Sequence, residues 1–110
     1  MLYNNMQTSC PAEALAALLG RKWVPQLLEL LEKNPKRFGE LTKSLEGSTP
    51  KMIKQQLSLL EEEHIIENHK VEDNNQVQST YRLTEKGHSL VKIVKQMKHW
   101  GLENLSCDSK

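Results

Sequence analysis

The stretch from Lys36 to Glu67, KRFGELTKSLEGSTPKMIKQQLSLLEEEHIIE, leaves few choices of fold. Ile53, Leu57 and Leu60 recur at i, i+4, i+7, the spacing that lines one side of an α-helix. Lys51, Lys54, Gln55 and Ser58 fall on the opposite side. Thr49 is a good N-cap and Pro50 a good first residue, so local chemistry marks where this helix starts. A short helix and a tight turn come before it. The polar side holds amides and ammonium groups with no carboxylate among them, which is a surface able to enter a DNA groove. An ordinary amphipathic surface helix produces the same pattern, so the helix alone does not decide between the two.

At 110 residues the chain is one small domain, and pairing with a second copy would help its stability. It is expected to divide into an N-terminal arm over 1–9, a folded domain over 10–105 and a C-terminal tail over 106–110. With 37% hydrophobic and 26% charged residues it reads as soluble and globular, and no apolar run approaches membrane-spanning length. The start, MLYNNMQTSC, lacks the basic region and apolar core of a signal peptide, which points to the cytoplasm. The net charge of +1 hides a split. From Arg21 to Ser58 eight Lys/Arg face four Glu, a local +4; from Glu61 to Asp73 six acids face Lys70 alone, a local −5. Phosphate attraction is screened within roughly 10 Å, so a basic patch matters more than a basic total. The acidic run Glu61 to Glu63 marks where the reading helix should leave DNA.

Further elements follow from spacing. A first helix is expected over Ala12 to Leu19, with Pro11 at its start and Gly20 after its end. A second runs from about Lys22 to Lys33 and stops at Asn34-Pro35. A third runs from Phe38 to Leu45, ended by Gly47, and the fourth from Pro50 to about Glu63. Beyond it the period changes to two. An extended run from Ile65 to Val71, the turn cluster Asp73-Asn74-Asn75, and alternating Val77, Ser79, Tyr81 and Leu83 give a two-stranded hairpin. Thr84 then caps a long last helix to about Leu105. The fold class is mainly α with a small β-hairpin (α+β): a winged helix-turn-helix with extra helices at both ends.

Several strings reinforce this order: Cys10-Pro11, Gly20-Arg21-Lys22-Trp23, Lys36-Arg37-Phe38-Gly39-Glu40-Leu41, Lys51 through Leu57, Leu60-Glu61-Glu62, and Tyr81 through Gly87. Over about residues 10 to 102 the chain resembles the HxlR-type family of bacterial winged helix-turn-helix regulators. The resemblance implies a homodimeric transcription factor, more often a repressor than an activator. It implies pairing through the terminal helices and one recognition helix per subunit in the major groove. It also implies, as in several members, a response to oxidants or electrophiles through the cysteine at Cys10. Two departures stand out. Family members commonly carry Gly where this chain has His64, a residue that tolerates the left-handed turn better than most. The wing lacks the usual proline and arginine and reads VEDNNQVQST, so Asn74, Asn75, Gln76 and Gln78 are left to reach phosphates or groove edges by hydrogen bonds.

The DNA-facing assignments follow base chemistry. Gln reads adenine and Lys reads guanine, which gives Lys51, Lys54 and Gln55 base contacts with Ser58 beside them. Thr49, Pro50 and the first N–H groups of the helix suit a phosphate, and Lys36, Arg37 and Lys43 would clamp the backbone alongside. Cys10 precedes a helix N-terminus, where the macrodipole favours the reactive thiolate. Cys107 lies almost a full chain away. In a reducing compartment both are expected as thiols, although crossing terminal helices would let Cys107 of one copy approach Cys10 of the partner subunit. The last helix carries the stripe Leu90, Ile93, Val94, Met97 and Trp100, which is either core or a dimer seam. It is read as mainly seam, with Leu15, Leu18 and Leu19 contributing.

The four histidines share no ligand spacing with one another or with the cysteines, so neither metal nor cofactor is expected. No paired acid–base set, catalytic triad or glycine-rich phosphate loop points to an enzyme. The preferred reading is a dimeric regulator of double-stranded DNA, with a palindromic operator and a thiol switch. Two alternatives stay open: a non-covalent small-molecule effector on the same DNA-binding fold, and a winged helix used for protein interaction without DNA affinity.

Overall fold

The computed structural model describes residues 10–105, which form five helices and a three-stranded antiparallel sheet. The expectations about the arm over 1–9 and the tail over 106–110, including Cys107, lie outside the described residues. In chain order the elements are α1 (Pro11–Leu19), α2 (Val24–Lys33), β1 (Lys36–Arg37), α3 (Phe38–Ser44), α4 (Pro50–Glu62), β2 (Ile66–Asp73), β3 (Gln76–Leu83) and α5 (Glu85–Asn104). Among the described residues no helix is long and apolar enough to cross a membrane.

The N-terminal half departs from expectation at two points. The second helix starts at Val24, because Trp23 takes a left-handed φ of 75° and breaks the chain direction just before it. Trp23 packs partly buried against the core, with its ring edge beside Gly47. The second difference is β1, whose two residues pair with β3 in the register Lys36↔Tyr81 and Arg37↔Thr80. The expected two-stranded hairpin is therefore the larger part of a sheet in the order β1-β3-β2.

The helix pair around the turn forms as the local chemistry dictates. The Arg37 N–H donates to the Glu40 carboxylate at 2.8 Å, which satisfies one open donor at the start of α3. Gly47 supplies a left-handed φ of 93° in the turn. The Thr49 hydroxyl accepts from the Met52 N–H at 3.2 Å and so caps α4. Ile53, Leu57 and Leu60 are each 0% exposed, packed into the core with Leu27, Leu28 and Leu41.

The C-terminus of α4 is closed by a Schellman turn. His64 has a left-handed φ of 62°, its N–H donates to the Glu61 carbonyl at 2.9 Å, and the Ile65 N–H donates to the Leu60 carbonyl at 2.9 Å. The turn expected at His64 is thus kept without glycine. The LTEKG string then explains itself. Thr84 donates its hydroxyl to the His64 carbonyl at 2.7 Å and accepts the Gly87 N–H, while the Lys86 ammonium donates to the Glu63 carbonyl at 2.7 Å. Gly87 has to be glycine, since a Cβ there would lie 2.2 Å from the Ile65 carbonyl oxygen. The start of α5 is in this way buttoned onto the end of α4. At the wing tip Asn74 and Asn75 both take positive φ, 53° and 67°, as a two-residue hairpin turn demands.

Candidate nucleic-acid interface

On α4 the side chains of Lys51, Lys54, Gln55 and Ser58 are all exposed, as are Thr49 and Pro50 at its start. The fully buried aliphatic side holds the helix, and the opposite side offers donors and acceptors to solvent. The Thr49 oxygen is engaged in the cap, so its spare capacity is the hydroxyl hydrogen. The Lys54 ammonium leans off the face: it donates to the Tyr81 hydroxyl at 3.4 Å and lies 5.9 Å from the Phe38 ring centre. That position ties it to α3 and β3.

The flanking cations sit where the sequence reading placed them in the chain, on unequal footings. Arg37 and Lys43 are exposed, at the start and end of α3. Lys36 is half-buried in β1, with its ammonium on the Asn34 side chain at 2.5 Å. In the wing Asn74, Asn75 and Gln76 are exposed and Gln78 is partly so. Lys70 is exposed on β2 opposite Ser79. Of the acidic run at the end of α4, Glu62 is exposed, Glu61 partly so, and Glu63 buried.

A second residue pair was invisible in the sequence. The Arg21 Nε donates to the Gln56 Oε1 at 2.9 Å, joining the turn after α1 to the concealed edge of α4. The partners are 35 positions apart, and Gln56 reads in the sequence as one more surface amide.

The expected seam is also corrected. Leu18, Leu19, Leu90 and Val94 are buried in this chain's own core, and Leu15 packs partly against it. α5 packs on α2 and β3, and this covers the face that carries Leu90, Val91 and Val94. Ile93, Met97 and Trp100 remain exposed, Trp100 at 60%, and Leu102 and Leu105 extend the exposed apolar surface. Cys10 is exposed at the N-cap of α1, where its carbonyl accepts from Glu13 and Ala14. Among the described residues no group of three or more His, Cys, Asp or Glu is placed to hold a metal ion.

A short helix, a tight turn, a second helix with its polar side outward, and a β-hairpin beside it define a winged helix-turn-helix protein. Residues 18–109 match the family described as HxlR-like helix-turn-helix, and the chain belongs to that family. It is similar to the HTH-type transcriptional regulator YodB of Bacillus subtilis (strain 168), 35% identical over 94 residues that span 84% of this chain and 83% of YodB. The reduced form of YodB superposes with a TM-score of 0.79 at 31% identity, covering 94% of this chain and 99% of that one. YodB has also been solved diamide-treated and quinone-bound, with TM-scores of 0.76 and 0.74, each at 32% identity. The two forms cover 88% and 86% of this chain, and 96% and 98% of their own. The redox regulator HypR in its reduced form gives 0.79 at 33% identity, covering 86% of this chain and 93% of its own. These relatives are regulators, not enzymes, and the chain is a transcriptional regulator of the same fold.

Proposed function

We propose that the protein is a homodimeric, sequence-specific DNA-binding repressor in the cytoplasm, released or reset by modification of Cys10. The observation that carries DNA reading is the division of α4, whose aliphatic side is wholly buried and whose Lys51, Gln55 and Ser58 stand in solvent. Lys51 and Gln55 read base edges, Ser58 supports them, and Lys54 works at the margin. Thr49 and Pro50 present the N-terminus of α4 to a phosphate, while Lys36, Arg37 and Lys43 hold the backbone beside it. Asn74, Asn75, Gln76 and Gln78 of the wing add hydrogen bonds to the adjoining groove or phosphates. Ile93, Met97 and Trp100 supply the seam between copies, and a two-fold pair calls for a palindromic operator.

The thiol switch is supported by the position of Cys10, exposed at the N-cap of α1, within reach of a reagent in solvent. Diamide oxidises thiols and quinones are attacked by thiolates, so the forms in which YodB has been solved fit the same chemistry. The inducer proposed is therefore an oxidant or electrophile. A covalent dimer on non-reducing electrophoresis after mild oxidant, lost in Cys10→Ser and in Cys107→Ser alike, would support pairing between Cys107 and Cys10 of the partner subunit. A species that stays monomeric on that gel leaves alkylation of Cys10 alone.

The test is affinity for duplex DNA across a salt series, with reduced protein and with protein treated with benzoquinone. Phosphate contacts predict a fall in log affinity close to linear in log salt. Cys10→Ser should bind as the reduced protein does and ignore the quinone. Affinity that is flat in salt contradicts DNA binding. A quinone response that survives Cys10→Ser contradicts the switch. A second reading, a non-covalent effector, is favoured by a cleft of about 370 Å³ between α2 and α5 lined by Leu19, Pro25, Val94 and Met97 with Gln26, Glu29 and Lys98.

A further inference from the structure

Two side-chain bonds hold α4 from opposite flanks of its polar side. On one flank the Lys54 ammonium meets the Tyr81 hydroxyl at 3.4 Å, beside the Phe38 ring. On the other the Arg21 Nε donates to the Gln56 Oε1 at 2.9 Å. Lys54 and Gln56 are two positions apart, roughly 200° round a helix. The two bonds therefore oppose roll in opposite senses. Tyr81 and Gln56 are both buried, and neither can touch a base.

Beyond these two bonds and the hydrogen bonds that button its C-terminal end to α5, what holds α4 is aliphatic. Ile53, Leu57 and Leu60 give cohesion, yet hydrophobic burial is non-directional and sets the roll of a helix only through shape. Hydrogen bonds are directional, and weaken steeply as their angle closes. Reading bases by amides demands tight placement: a roll of about 10° shifts a side-chain tip by about 1 Å at the radius of a helix with its side chains. A functional constellation works only within about 0.5 Å of its productive geometry.

We propose that Tyr81 and the Arg21–Gln56 pair are specificity-determining positioning residues, which fix the roll of α4 so that Lys51, Gln55 and Ser58 meet base edges together. The inference rests on the reading of α4 as the DNA-reading helix. Lys54, expected as a base reader, is the arm of one tether. Arg21 is the arm of the other, and it ties that roll to the turn that follows α1.

The test uses the full chain with Tyr81→Phe, Gln56→Met, both together, and Gln56→Glu, which keeps an acceptor for Arg21. Fluorescence anisotropy is read on two probes: the duplex that the wild-type protein enriches from a randomised pool, and a scrambled duplex of equal length and composition. Tyr81→Phe and Gln56→Met should each weaken the enriched duplex about tenfold, comparable to one mismatched base pair, and the double variant more. Affinity for the scrambled duplex and the salt slope should hold, and Gln56→Glu should keep the wild-type ratio. Variants that keep the wild-type ratio overturn this inference alone. So does an equal loss on both probes with a fallen melting temperature, which marks a merely structural role. A wild-type protein that prefers no sequence overturns the reading of α4 and this inference with it.

Discussion

α4 and α5 are both amphipathic helices written with the same apolar spacing, yet they end in opposite situations. Ile53, Leu57 and Leu60 of the α4 stripe are all buried in the core, with α3 and β2 packed against the helix, so the side left outside is polar. In α5 the face carrying Leu90, Val91 and Val94 is buried, and the neighbouring face carrying Ile93, Met97 and Trp100 is left uncovered. A helix spent completely on its own core offers hydrogen bonds and charge to a partner. A helix spent only in part offers apolar surface, whose natural partner is another protein surface. The comparison matches the two jobs proposed for this small chain, reading for α4 and pairing for α5.

Substitutions sharpen or break that separation in order of size. Leu57→Ala removes a fully buried side chain from the base of α4 and should cost about 2–5 kcal/mol of folding stability in denaturant unfolding. Trp100→Ala should leave the melting temperature of the monomer nearly unchanged. It should weaken dimerisation by about 2 kcal/mol or more in sedimentation equilibrium, as truncating a central aromatic anchor does. If Trp100→Ala instead unfolds the monomer, the face of α5 carrying Trp100 is core and the contrast fails. Gln55→Ala should cost about 1–3 kcal/mol on the preferred duplex, confined to one base pair, with stability untouched. Thr49→Ala should cost about 1 kcal/mol of stability through the lost cap, measurable by thermal unfolding.

What the sequence could reveal follows the range of the interactions. The start of α4 was legible because Thr49 and Pro50 act on the next few residues, and the left-handed turn at His64 because the family the chain resembles commonly carries Gly there. Gly87 was legible as a residue but not as a reason, which is the Ile65 carbonyl 22 positions away in the chain. β1 was missed because two residues show no alternation, and pairing with Tyr81 and Thr80 is all that makes them a strand. The late start of α2 was missed because a left-handed tryptophan runs against backbone preference, and packing against the core holds it there. The split of the α5 stripe depends on which face of α5 meets α2 and β3, a tertiary fact that helical spacing does not contain. The exposed polar side of α4 stood out from its own helix alone, whereas Arg21 and Gln56 became a pair only when the fold brought them together.

The central claim is that the exposed side of α4 reads DNA, once per subunit of a two-fold pair. Selection of bound duplexes from a randomised pool by the reduced protein tests it most directly. The account predicts enrichment of an inverted repeat whose half-site centres lie about 34 Å apart or a multiple of that distance. Exchange of Gln55 should alter the preferred base at one symmetric position. A folded, dimeric protein that enriches no sequence, or whose enriched sequence is indifferent to Lys51 and Gln55, would contradict it.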